Sequence, residues 1–76
     1  MKKLAEHYEF IYDRLWKLLI DRKMKKKDLQ RLASLSTNVI TKMGKGKSVT
    51  LETLAKICLA LRCDIQDIVE IKLRAQ

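Results

Sequence analysis

The chain has 76 residues, 17 of them Lys or Arg against nine Asp or Glu, for a net charge of +8, and 47% are hydrophobic. A chain of this length buries one small core and excludes a second lobe, the apolar fraction excludes disorder, and no apolar run approaches the roughly 20 residues a membrane-spanning helix needs. The absence of proline, only two glycines and many Leu, Lys, Ala and Ile residues favour helices throughout. The expected fold class is therefore all-α: a compact bundle of about five helices in a single domain, 1–76. Met1-Lys2-Lys3 leads into Glu6-His7-Tyr8-Glu9 and not into an apolar signal core, so a cytoplasmic location is expected.

Residues 1–10 are charged and weakly patterned. From about Ile11 the residues Ile11, Tyr12, Leu15, Leu18 and Leu19 recur at the spacing of a core-facing helical stripe. Trp16 and Ile20 widen that stripe to roughly 200° of the circumference. Two readings follow: the pair is covered by the chain's own termini, or it belongs to a dimer contact. Met24 closes this helix, and Lys25-Lys26-Lys27-Asp28 opens a short second one with Leu29, Leu32 and Ala33 inward. Ser34-Leu35-Ser36 reads as a turn, after which Ser36 or Thr37 caps a third helix through its hydroxyl. In that helix Ile40 and Met43 face inward, Thr37, Asn38, Thr41 and Lys42 face solvent, and Gly44 and Gly46 end it.

Thr50 is the predicted N-cap of a fourth helix, with Glu52 against the positive end of its dipole. Leu51, Leu54, Ala55, Ile57, Cys58 and Leu61 supply its apolar face. Asp64 caps a short fifth helix, and Ile65, Ile68 and Val69 complete the packing. Val69, Ile71 and Leu73 then alternate with Glu70, Lys72 and Arg74, which is the period of a short C-terminal strand. Such a strand needs a partner, either Tyr8–Tyr12 or the same tail of a second subunit. Cys58 and Cys63 match neither the paired spacing of a zinc site nor a CxxC redox motif. They are expected as reduced, buried thiols, His7 as a solvated residue, and no metal or cofactor is expected.

The charge is segregated. Arg22, Lys23, Lys25, Lys26, Lys27, Arg31, Lys42, Lys45 and Lys47 face a single acid, Asp28, between positions 22 and 47, and the bases and acids outside that segment cancel. Positive charge this concentrated asks for a partner of dense negative charge, first of all a nucleic-acid backbone.

Two short helices joined by a tight turn inside such a bundle form a helix-turn-helix. MKKKDLQRLASLSTNVITKMGKGK, with Leu29, Ala33, Leu35 and Ile40 at packing positions, and TLETLAKICLALRCDIQDIVE resemble the Cro/repressor (XRE-like) family of phage and bacterial transcription regulators. Relatives usually carry alanine where this chain has Gln30 and glycine where it has Ser34. The resemblance implies a helix-turn-helix core over about 11–69 and a sequence-specific regulator of double-stranded DNA, expected to be a repressor acting as a dimer on a palindromic operator. Trp16, Ile20, Val69, Ile71 and Leu73 are the expected dimer contacts.

The chemistry of the side chains divides the basic segment. Thr37, Asn38, Thr41 and Lys42 are the expected base readers, since Asn pairs with an adenine edge, Lys with guanine O6/N7 and the threonine methyl with thymine. Lys25, Lys26, Lys27, Lys45, Lys47 and Thr50 are the expected phosphate contacts. A lysine run is commonly a solubilising face; its confinement to these elements favours binding. No Ser/His/Asp or Cys/His set, apolar carboxylate pair or phosphate-binding glycine loop is present, so an enzyme is not expected. The alternative is a protein-interaction module, antitoxin-like or a phage accessory protein, using the apolar arc of Trp16 and Ile20.

Overall fold

In the computed structural model, which describes residues 8–73, the chain runs through β1 (Tyr8–Ile11), α1 (Asp13–Asp21), α2 (Lys26–Leu32), α3 (Thr37–Gly44), α4 (Leu51–Leu61), a 3-10 turn (Ile65–Asp67) and β2 (Glu70–Leu73). Leu15 of α1, Leu29 of α2, Met43 of α3, Leu61 and Ile57 of α4 and Ile68 after the 3-10 turn are the most deeply buried side chains, so every helix contributes to one core. Tyr12, Leu19, Ala33, Leu35 and Leu54 complete it.

Several expectations change. Four α-helices form among the described residues, and where a fifth was expected the chain makes only the 3-10 turn, with Asp64 as the predicted cap accepting from the Ile65 N–H at 2.8 Å. Ile11 lies in β1, because α1 begins only at Asp13. The helix ends at Asp21, short of Met24. The C-terminal strand pairs within the chain: β1 and β2 are antiparallel, with Tyr8 opposite Leu73 and Phe10 opposite Ile71. Leu32, Leu51, Ala55 and Ile65 are exposed. Leu32 ends α2, and Ala33 and Leu35 just after it are buried. Leu51 sits in the first turn of α4, ahead of the buried Leu54, Ile57 and Leu61. Trp16 is half-buried, whereas Ile20 remains 73% exposed. Cys58 and Cys63 are free thiols, half-buried instead of buried. His7 lies outside the described residues.

All four α-helices end in one way. The chain turns through a left-handed residue at Lys23 (φ 57°), Ser34 (φ 55°), Gly46 (φ 72°) and Arg62 (φ 53°). The next N–H then reaches back five residues: Met24 to Leu19 O, Leu35 to Gln30 O, Lys47 to Lys42 O and Cys63 to Cys58 O, at 2.8 to 3.1 Å. At the ends of α1, α2 and α3 the left-handed residue also bonds three back (Lys23 to Ile20 O, Ser34 to Arg31 O, Gly46 to Met43 O), the Schellman closure, whereas at α4 the Arg62 N–H shares the Cys58 carbonyl; either form satisfies the last carbonyls and favours glycine at the left-handed position. Only one of these four places holds glycine. No helix among the described residues is long and apolar enough to cross a membrane.

Candidate nucleic-acid interface

Helices α2 and α3 are joined by four residues, Ala33 to Ser36, and three bonds fix their relation. The left-handed Ser34 lets the Leu35 N–H close on Gln30 O at 2.8 Å, which turns the chain sharply and sends Leu35 into the core. Ser36 Oγ accepts from the Val39 N–H at 3.3 Å and caps α3. Gln30 Nε2 donates to Thr37 Oγ1 at 3.1 Å, linking the side of α2 to the first residue of α3. Helix α3 rests on Met43, 1% exposed, with Val39 and Ile40 packed around it. Thr37, Asn38, Thr41 and Lys42 are all exposed, on the surface that this packing leaves open.

The flanks are basic. Lys25, Lys26 and Lys27 are exposed at the start of α2, where the Asp28 carboxylate accepts from the Lys25 N–H at 2.8 Å. Three cations here oppose the positive end of the helix dipole, and an anion beside them relieves that repulsion. Lys26 is engaged within the chain: its Nζ lies 4.3 Å from the centre of the Trp16 ring, a cation–π contact that ties α2 to α1. On the other flank Lys45 and Lys47 are exposed in the loop after α3. That loop is braced from behind. The Tyr12 hydroxyl donates to Lys47 O at 2.6 Å, and a Cβ added at Gly46 would stand 3.4 Å from Phe10 O. Burial holds the Tyr12 phenol above its ordinary range, so it stays a donor at neutral pH. Thr50 Oγ1 accepts from the Thr53 N–H at 3.1 Å and donates to Thr53 Oγ1 at 3.0 Å, so its hydroxyl is already committed to capping α4.

The sequence-derived residues thus gather on two adjoining helices and the loop that follows. Gln30 and Tyr12 were missed as positioning residues. Gln30 carried a signal, being polar where the resembling family usually has alanine; Tyr12 carried none, because nothing local links it to Lys47. Among the described residues no group of three or more His, Cys, Asp or Glu side chains could hold a metal ion.

Two short helices joined by a tight turn, the second with a capped start, a buried inner side and a polar exposed surface between lysines, define a helix-turn-helix DNA-binding domain. The family model described as the Cro/C1-type HTH DNA-binding domain matches residues 14–73, and the chain belongs to this family. No curated protein matches the chain. Among solved structures it is similar to one described as the crystal structure of transcriptional regulator VanUg, Form II, at 38% identity over 97% of this chain and 99% of that one, with a TM-score of 0.87.

Proposed function

We propose that the protein is a sequence-specific transcription regulator, a repressor that binds a palindromic operator as a dimer, and that its chain works as one domain. The observation that carries this reading is the exposed polar surface of α3 set between two lysine groups on a capped, internally braced support. Thr37, Asn38, Thr41 and Lys42 read base edges in the major groove. Lys25, Lys27, Lys45 and Lys47 hold phosphates, with Lys26 shared between Trp16 and the backbone and Thr50 contributing chiefly through the start of α4. The likeness to a transcriptional regulator across nearly the whole chain supports the regulatory role.

A dimer is supported by apolar surface. Ile20, Ile71 and Leu73 are exposed, and Leu51 and Ile71 border an apolar cleft of about 230 Å³ with Phe10, Val49, Ile65 and Val69. A two-fold pair presents two copies of α3 to half-sites about one helical turn of DNA apart. Selection from a random duplex pool, followed by sedimentation of the free and bound protein, tests both parts. A recovered palindrome bound by two chains is expected. Selection of no sequence would overturn the specific reading, and a free monomer that never pairs on DNA would overturn the dimer and favour a protein-interaction module.

A further inference from the structure

The left-handed end of α4 has a chemical consequence that the DNA interface does not use. At such an end the residue that supplies the accepting carbonyl and the residue that supplies the closing N–H commonly meet through their side chains. In α1 those residues are Leu19 and Met24; in α4 they are Cys58 and Cys63, joined by the Cys63 N–H to Cys58 O bond of 3.1 Å. A disulfide needs its Cα atoms within roughly 4.4–6.8 Å, and a backbone hydrogen bond between the two residues is compatible with that separation. The two thiols lie close enough to perturb each other's ionisation. Both are half-buried and open on a surface depression bordered by Leu59, Arg62 and Asp64, so a small reagent reaches them from solvent.

We propose that Cys58 and Cys63 form a dithiol/disulfide centre on the C-terminal cap of α4, oxidised by hydroperoxides and re-reduced by small thiols. The Cys58 sulfur attacks one oxygen of the hydroperoxide, the O–O bond breaks, and the departing oxygen leaves as an alcohol or as water, carrying a proton. Cys58 is then a sulfenic acid. The Cys63 sulfur attacks the Cys58 sulfur, the S–O bond breaks, and the hydroxyl leaves with the Cys63 proton as water. Two thiols have lost two electrons and the peroxide has gained them.

Burial pushes both thiols up; the neighbouring Cys58 and then Asp67 add to this at Cys63, and Asp64 and Asp67 add to it at Cys58. The neighbouring Cys63 works the other way at Cys58, and Arg22 does so at Cys63. The same disulfide results whichever of the two sulfurs attacks first. Oxidation is slow at neutral pH, because little of either thiol is ionised.

The full chain, kept dilute so that encounters between molecules are rare, is treated with hydrogen peroxide at mildly alkaline pH, alkylated in denaturant and weighed intact. The expected product is monomeric, lighter by about 2 Da, closed to alkylation, and restored by dithiothreitol. The Cys58→Ser and Cys63→Ser chains should show no such loss and should instead gain oxygen or link between molecules. Wild-type chains that gain oxygen while remaining alkylatable, or that cross-link only between molecules, would overturn the proposal. The wild-type result stands whether or not the serine variants fold.

Discussion

Tyr12 donates its hydroxyl to the main-chain carbonyl of Lys47 at 2.6 Å, across 35 positions of sequence. The ring is buried where β1 passes into α1, and the carbonyl belongs to the loop that carries Lys45 and Lys47 beside α3. One bond thus couples the strand ribbon to the basic loop beside the exposed surface of α3. Tyr12→Phe keeps the ring and removes the bond, and should lower stability by about 0.5–1.5 kcal/mol in urea unfolding.

The same residue sets a pH dependence. Its phenol sits above the ordinary value of 10.0 through burial, so the folded chain holds this proton more tightly than the unfolded one. The stabilisation is complete below about pH 10 and is lost as pH rises through the higher folded value. Wild-type stability should therefore fall more steeply above pH 10 than that of Tyr12→Phe; parallel curves would contradict the assignment.

Three helix ends place a side chain where glycine is favoured. At Lys23, Ser34 and Arg62 the left-handed backbone costs about 1 kcal/mol relative to glycine. Ser34→Gly should raise the unfolding free energy by up to about that amount without altering α3. Ser36→Ala, one turn on, removes the α3 cap and should cost about 1 kcal/mol and weaken DNA binding with it.

The lysines should separate by what already holds them. Lys45→Ala should reduce the slope of log affinity against log salt by about 0.9, the loss of one phosphate contact. Lys26→Ala should reduce it less, because this ammonium is partly engaged by Trp16, and should change the tryptophan emission. Equal slopes for the two variants would count against the cation–π contact.

Much of this was legible in the sequence because its causes are local. Ser36 and Thr50 cap helices through hydroxyls beside the N–H groups they satisfy, and Leu15, Leu29, Ile57 and Ile68 are buried as their spacing implies. The left-handed conformation of the helix ends was legible only at Gly46, because Lys23, Ser34 and Arg62 take it without announcing it in composition. Ile11 was read as helical because an apolar residue one place before Tyr12 fits either period; pairing with β2 decides for the strand. The exposure of Leu32 and Leu51 could not be read, since it depends on where neighbouring elements end. For the proposed interface, residue types and spacing pointed to Thr37, Asn38, Thr41 and Lys42, which are exposed on α3. The support behind it, from Gln30 to Thr37 and from Tyr12 to Lys47, is tertiary and has little local signature.

The most direct test of α3 as a sequence reader is an anisotropy titration of the wild-type and Asn38→Ala chains, at one salt concentration, against a selected duplex and a scrambled one of equal length. The wild type is expected to prefer the selected duplex by a factor of about 10³ or more. Asn38→Ala should lose about 1–3 kcal/mol of that discrimination while binding the scrambled duplex as before. Equal wild-type affinity for both duplexes, or an unchanged preference in Asn38→Ala, would contradict the reading of α3.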